Sequence, residues 1–115
     1  MRKFVEIRSY NLETGTGEEF HRLMCEQTVP LLKKWAVDVV ASAPSAHDEC
    51  SYYLLRAYDS LEHRARSQGE LYSSPEWKDG PREAVLALID HYTSVVIEMD
   101  EAMVEALRKA HESTA

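Results

Sequence analysis

Polar and apolar residues alternate along the first predicted strand, which covers residues 4–10. Side chains two positions apart on a strand point to the same side of the sheet. Val5 and Ile7 therefore share one side, which we expect to face the helices. The other side carries Phe4, Glu6, Arg8 and Tyr10.

The same kind of pattern predicts the other secondary structure elements. Apolar and β-branched runs predict three further strands, at residues 37–43, 50–58 and 92–99. Apolar residues repeating every three or four positions predict helices. We expect them from residue 16, over 60–72, from 74, over 82–89 and, as a tail, over about 100–111.

Capping signals mark the starts of two of these helices. Thr16 with Glu19, and Asp59 with Glu62, have the spacing of a capping box, in which each side chain satisfies the other's backbone N–H. Pro30 lies inside the first helix. Because proline removes one helical hydrogen bond, we expect a bend or a break just before it.

The order strand, helix, strand, strand, helix, strand predicts an α+β protein with the ferredoxin-like βαββαβ fold. We expect a four-stranded antiparallel sheet, in which only the two central strands run parallel to each other, with the helices on one face. Residues 1–99 would form this domain and residues 100–115 a C-terminal helical extension. The open sheet face, which carries several aromatic residues, would be covered by a second subunit to give a homodimeric barrel.

The composition excludes several classes of function. A chain of 115 residues with 44% hydrophobic and 29% charged residues predicts one globular domain. Its net charge of −7 argues against nucleic acid as a partner, and the sequence contains no apolar run long enough to span a membrane. Cys25 and Cys50 lie in different predicted elements, and no secretory leader is evident, so we expect a cytoplasmic protein.

The repeated Arg-x-Tyr pattern gives the main candidate site: Arg8 with Tyr10 and Arg56 with Tyr58. In a catalytic interpretation, the guanidinium groups hold a carboxylate or enolate oxygen and a tyrosine donates a hydrogen bond or a proton. In a structural interpretation, the two arginines form an internal ion-pair layer with the carboxylates of Glu6 and Glu98. The sequence alone favours the structural interpretation slightly.

A cleft between the sheet and the helices is a second possible location for a ligand. Its walls would include Glu6 and Glu98 and the aromatic and apolar residues Phe20, Met24, Trp35, Tyr53 and Trp77. Core packing explains the aromatic and apolar residues equally well.

The histidines and cysteines give weaker candidates. His21 and Cys25 stand four apart on a helix, at the spacing of a base and a nucleophile, but no third orienting group is evident. Among the histidines, His91 near the fourth strand is the candidate for a haem ligand, but a loop histidine that caps a helix end explains it better. Since no metal-binding motif is present, we expect neither a metal nor another cofactor.

Four segments together resemble the NIPSNAP family over about residues 3–99. They are Glu6-x-Arg8-x-Tyr10, Val29-Pro30-Leu31-Leu32, the junction from Tyr58 to Arg64, and Ser74-Pro75-Glu76-Trp77. The resemblance implies the dimeric α+β barrel fold, whose superfamily includes cofactor-free monooxygenases, lactone isomerases and haem-binding proteins. NIPSNAP-like bacterial proteins themselves mostly lack an assigned activity. Gln27 departs from the common pattern, in which a histidine often precedes the Pro-Leu-Leu segment.

Three functions are therefore open. The first is a protein of unassigned activity that binds a small organic molecule. The second is a cofactor-free monooxygenase or isomerase acting on an aromatic or lactone-type metabolite, with Arg8, Tyr10, Arg56 and Tyr58 as its catalytic residues. The third is a non-catalytic structural or interaction module.

Overall fold

A computed structural model describes residues 1–112 of the chain. Its sheet has the strand order β2-β3-β1-β4. The strands are β1 Arg2–Leu12, β2 Asp38–Pro44, β3 Ser51–Tyr58 and β4 Ile89–Asp100. The helices are α1 Gly17–Leu23, α2 Val29–Lys34, α3 Leu61–Ser73, α4 Pro75–Lys78, α5 Arg82–Leu88 and α6 Glu101–Glu112. The ferredoxin-like order predicted from the sequence is confirmed, and α6 is the predicted C-terminal helix.

All neighbouring strands in the sheet are antiparallel. The expectation that the two central strands run parallel is therefore wrong: β3 returns from β2 through residues 45–50 and lies antiparallel between β2 and β1. Glu6 stands directly opposite Arg56, and Phe4 stands opposite Tyr58. The two Arg-x-Tyr patterns share one face of the sheet but point in opposite directions along it, which separates their tyrosines.

The helix starts agree only in part with the predicted caps. Ser74 accepts a hydrogen bond from the backbone N–H of Trp77, as its position before Pro75 suggests. The predicted capping boxes do not form: the Thr16 hydroxyl donates to the carbonyl of Glu13. At the start of α3, the side chain of Ser60, not that of Asp59, accepts a hydrogen bond from the backbone N–H of His63.

A π-helical segment, Met24–Thr28, joins α1 to α2. Pro30 is the second residue after this segment and has no N–H, so the carbonyl of residue 26 cannot form the usual α-helical bond to residue 30. The chain absorbs this loss by widening one turn, and the N–H of Val29 bonds to the carbonyl of Met24, five residues back. The irregularity expected before Pro30 is therefore a π turn and not a break.

The two sides of β1 face opposite to the directions predicted from the sequence. Tyr10 packs with Phe20, Met24 and Leu71 in the core between the sheet and the helices α1 to α5. Val5 belongs to a second core on the other face. Glu6, which lies on the same side of β1 as Tyr10, is fully buried. The polar side of β1 thus faces the main helical layer.

Helix α6 covers part of the opposite face. Val104 of α6 is buried there against Val5, Leu55 and Ala57. The Arg108 side chain holds the helix to β2 by donating to the carboxylate of Asp38, at 3.1 Å. The sequence suggested that this face would be bare. It is instead partly covered by the last helix of the same chain. No helix within residues 1–112 is both long enough and apolar enough to cross a membrane.

Candidate functional site

A cavity of about 350 Å³ lies between the sheet and the helical layer. Strands β1, β3 and β4 form its floor, and the π-helical segment with α3, α4 and α5 forms its walls. Most of its lining is apolar or aromatic, with polar contributions from Arg8, Tyr10, Thr28 and Gln68. An apolar cavity with a few converging polar groups is the usual form of a small-molecule site.

Arg8 brings a positive charge to the wall of this cavity. Its Nε donates to Ser94 Oγ at 3.2 Å, and its guanidinium carbon lies 4.8 Å from the centre of the Tyr92 ring. A guanidinium over an aromatic face is attracted by the ring quadrupole. These contacts from β4 hold the Arg8 side chain, which remains 13% exposed, against the cavity.

Beneath Arg8 lies a fully buried ion pair between Glu6 and Arg56. Arg56 Nε donates to Glu6 Oε1 at 3.0 Å, and its Nη1 donates to the Tyr72 hydroxyl at 2.6 Å. The second oxygen, Oε2, accepts from Arg64 Nε at 2.8 Å and from Gln68 Nε2 at 3.0 Å. Both oxygens of the carboxylate are thus hydrogen-bonded, as a buried charge requires.

Burial by itself would raise the pKa of Glu6. The positive charge of Arg56 and the hydrogen bonds from Gln68 and Arg56, with a further contribution from the charge of Arg8, outweigh it and lower the pKa to about 2. Glu6 is therefore ionised at neutral pH and does not act as a general base. Its role is to hold the arginines.

This cluster contains more positive than negative charge. Within residues 1–112, Glu6 is the one carboxylate that pairs with Arg8, Arg56 and Arg64. Arg56 and Arg64 hydrogen-bond to Glu6, whereas Arg8 Nη2 lies 3.6 Å from the carboxylate, beyond hydrogen-bond distance. The surplus charge is thus on the arginine that lines the cavity, where it can attract an anion.

Tyr10 places a phenol group beside this charge. Burial raises the pKa of Tyr10, and the charge of Arg8 only partly opposes the effect. The phenol stays protonated at neutral pH and is able to donate a hydrogen bond into the cavity. Its ring packs against Phe20 at 5.3 Å and Tyr92 at 6.1 Å between ring centroids.

The four residues proposed as catalytic do not converge on one point. Arg8 and Tyr10 line the cavity, while Arg56 lies behind its wall in the pair with Glu6. The Tyr58 hydroxyl accepts from Gln68 at 3.2 Å, and its ring contacts His63, so it belongs to the core around α3.

The residues proposed for the pocket are also divided. Met24 and Trp77 line the cavity, Phe20 lies in the adjoining core, and Trp35 packs on that core from its edge. Tyr53 is on the opposite face of the sheet, where its hydroxyl bonds His111 of α6 at 2.8 Å. Glu98 is exposed and pairs with Arg2 rather than with a buried arginine, so these last two residues are not part of the site.

His21 and Cys25 are close but lack the geometry of a catalytic pair. Cys25 Sγ is 3.8 Å from both ring nitrogens of His21, so it is not aligned with either lone pair. His21 Nδ1 instead bonds the Tyr52 hydroxyl at 2.7 Å. His91 is exposed beside Asp90 and does not line the cavity. Residues 1–112 contain no group of three or more His, Cys, Asp or Glu side chains placed to hold a metal ion.

Sequence reasoning missed the contribution of α3. Arg64, Gln68 and Tyr72 occur four residues apart and therefore lie on one side of the helix. That stripe faces the sheet, where it meets Glu6 and Arg56. A polar stripe on the side of a helix that also carries the buried Leu71 is the signal that could have identified these residues.

The fold and the buried polar cluster define a ferredoxin-like α+β domain with a ligand-sized cavity beside that cluster. The NIPSNAP family model matches residues 5–99. The chain belongs to the NIPSNAP family.

Solved structures agree with this assignment. A NIPSNAP family protein from Agrobacterium tumefaciens is 18% identical, with a TM-score of 0.78 over 86% of this chain and 87% of that one. A NIPSNAP domain protein from Burkholderia xenovorans is 20% identical, with a TM-score of 0.75 over 85% and 95%. A putative antibiotic biosynthesis monooxygenase from Nitrosomonas europaea is 16% identical, with a TM-score of 0.62 over 82% and 95%. These likenesses show the fold. Among curated proteins, no sequence matches this chain.

Proposed function

We propose that this protein binds a small organic anion, a carboxylate with an aromatic or apolar body, in the cavity beside Arg8. The observation that carries the proposal is the charge surplus: Arg8 faces the cavity while Glu6 is hydrogen-bonded by Arg56 and Arg64. A carboxylate accepts two hydrogen bonds from a guanidinium group and neutralises its charge. The surrounding rings of Tyr72, Tyr92 and Trp77 suit an aromatic or apolar body.

The test uses matched acids and amides. Phenylacetate and benzoate, together with their uncharged amides, are titrated into the protein by calorimetry. The acids should bind and the amides should not. Arg8→Met should weaken acid binding by more than about tenfold, as expected for loss of a charge-assisted hydrogen bond. Arg66→Met, which removes an exposed arginine of α3 outside the cavity lining, is the control. Equal binding of acids and amides, or of acids by wild type and Arg8→Met, would contradict the proposal.

A cofactor-free monooxygenase or isomerase is the second candidate. Tyr10 supports it, because a protonated phenol beside Arg8 would stabilise the oxyanion of an enolate. The putative antibiotic biosynthesis monooxygenase from Nitrosomonas europaea has a similar fold. Proton NMR in D₂O should show that the protein accelerates deuterium exchange at the methylene group of phenylpyruvate, and that Tyr10→Phe slows this exchange. Exchange no faster than in buffer would exclude this candidate.

The partner proposed for this protein is a second copy of the chain. Val95 and Ile97 of β4 are 57% and 44% exposed. They stand opposite Ile7 and Val5 and so lie on the sheet face that α6 covers only in part. An apolar patch of this kind is typical of an interface. Sedimentation at micromolar concentration should give a dimer, and Val95→Lys should shift it towards a monomer. The proposed location is the cytoplasm, because Cys25 and Cys50 are free thiols, as is usual in a reducing compartment.

A further inference from the structure

Thr28 places an unpaired hydroxyl group at the cavity. Thr28 is buried, with 6% of its surface exposed, and it lines the cavity. Among residues 1–112, Thr28 Oγ1 is the one buried side-chain nitrogen or oxygen atom with no hydrogen-bond partner. A buried polar group without a partner costs folding free energy and calls for an explanation.

The Thr28 hydroxyl lies in the π-helical segment and makes no local hydrogen bond. A threonine in a regular helix commonly bonds the carbonyl four residues back. For Thr28 that carbonyl belongs to Met24, which here accepts the backbone N–H of Val29 across the π turn. The Thr28 hydroxyl does not bond it and is available for another partner. π turns of this kind occur often at functional sites.

Thr28 and Arg8 belong to opposite walls of the same cavity. Arg8 comes from the sheet, and Thr28 comes from the helical layer above it. The same cavity is lined by apolar side chains, including Met24, Leu54 and Val85. A ligand held by its carboxylate at Arg8 therefore extends its body through an apolar region toward Thr28.

We infer that the ligand of this cavity carries a second polar oxygen, a hydroxyl or carbonyl group remote from its carboxylate, and that Thr28 selects for it. The inference deepens the proposed function and rests on it, since it assumes that a carboxylate occupies Arg8. A hydroxy or oxo acid satisfies both polar groups at once. The cavity volume of about 350 Å³ is near the lower end for ligand sites, which suits a compound with a single ring.

Selection follows from the cost of leaving Thr28 unpaired. An acid without the second oxygen would bury the Thr28 hydroxyl under an apolar group and remove any water that solvates it. Sites built to hydrogen-bond a ligand oxygen discriminate strongly against analogues that lack it. The discrimination should therefore depend on the hydroxyl group and not on the shape of the threonine side chain.

The experiment compares phenylacetate with its oxygenated counterparts. The probes are 3- and 4-hydroxyphenylacetate, whose hydroxyl group is remote from the carboxylate, titrated by calorimetry into wild type, Thr28→Val and Thr16→Val. Valine has the shape of threonine without the hydroxyl group. Thr16 is the matched control, because its hydroxyl donates to the carbonyl of Glu13 and lies outside this cavity.

Wild type should bind at least one oxygenated acid about tenfold more tightly than phenylacetate. Thr28→Val should abolish this preference, and Thr16→Val should keep it. If phenylacetate binds through Arg8 but wild type shows no such preference, or Thr28→Val retains it, the inference fails while the proposed function stands. If none of the acids binds, both fail.

A stability measurement separates a ligand-binding role from a structural one. Without ligand, Thr28→Val should keep or raise the melting temperature, because it removes a hydroxyl group that no protein atom satisfies. Thr16→Val should lower it slightly, because it breaks a hydrogen bond. A fall in melting temperature for Thr28→Val as large as that for Thr16→Val would show that the hydroxyl has a structural partner and would overturn the inference.

Discussion

The two faces of the sheet differ in what they bury. Under α6, Val104 packs with Val5, Leu55 and Ala57 in a small core made of apolar contacts. Under the helices α1 to α5, the sheet buries Glu6 and Arg56 completely and keeps a cavity beside them. The same four strands therefore form one face by simple packing and the other around a charged cluster.

The difference supports the proposal that the ligand binds on the polar face. A buried ion pair is often no more stable than apolar residues of the same volume, so stability alone does not account for it. A cavity next to that pair gives up further packing. The buried ion pair and the cavity are both explained if the positive charge of Arg8 serves to bind a ligand. Within residues 1–112, the face under α6 buries no charged side chain, and the pocket beside that helix is lined by the partly exposed ion pair of Arg108 and Asp38.

The largest expected effect comes from Glu6→Gln, which removes the carboxylate and leaves Arg56 buried without a counter-charge. The free energy of unfolding should fall by about 3–5 kcal/mol. Glu98→Gln is the control, since its pair with Arg2 is exposed and should contribute less than about 1 kcal/mol. Urea unfolding measures both variants. Similar small losses for the two would mean that the polar face is not held together by Glu6.

A change of pH tests the same carboxylate without a substitution. The pKa of Glu6 lies at about 2 in the folded protein, below its ordinary value of 4.5. Its contribution to stability is therefore complete above about pH 4.5 and is lost as the pH falls towards 2. Urea unfolding across this window should show a steeper loss for wild type than for Glu6→Gln. Parallel curves for the two proteins would contradict the assigned pKa.

A smaller loss is expected on the opposite face. Val104→Ala should lower the free energy of unfolding by about 1–3 kcal/mol, from lost apolar burial and the cavity left behind. Met103→Ala, at a site that is 57% exposed, should change it by less than about 0.5 kcal/mol. Neither variant should alter the affinity for phenylacetate. If Val104→Ala weakened that binding tenfold, the two faces would not be functionally separate.

The two arginines of the polar face should differ in their effect on stability. Arg8→Met should change the free energy of unfolding by less than about 1 kcal/mol, because attraction to Glu6 is opposed by the nearby charges of Arg56 and Arg64. Arg56→Met should cost about 3–5 kcal/mol, because it leaves Glu6 buried without its main partner. Chemical unfolding of both variants measures the contrast. Equal losses would assign Arg8 a structural role like that of Arg56.

The fold was predictable because its elements are bounded by local signals. The apolar runs of the strands and the Ser74-Pro75 start of α4 depend on residues that are neighbours in sequence. The phase of β1 was not predictable in the same way. Alternation divides its residues into two sets, but it does not say which set meets which helices. We assigned the apolar set to the main helical layer, and α6 covers it instead.

The site was predictable only where one strand carries it. Arg8 and Tyr10 stand two apart on β1, so their common side follows from the strand itself. Glu98 was expected to pair with an arginine because both charges were available, yet its register opposite Phe4 places it at the surface. Arg64 reaches Glu6 from a different element, so its polar stripe on α3 is a local signal but its partner is not. That the Thr28 hydroxyl lacks a partner depends on the tertiary packing around it.

The central claim is that the polar face of the sheet holds an organic acid at Arg8. A crystal of the protein soaked with 4-bromophenylacetate tests it most directly, because the bromine atom can be located by its anomalous scattering. The account predicts a bromine peak inside the cavity, near the helical wall, with the carboxylate paired to Arg8. A bromine peak only on the face under α6, or an empty cavity at saturating ligand, would contradict it.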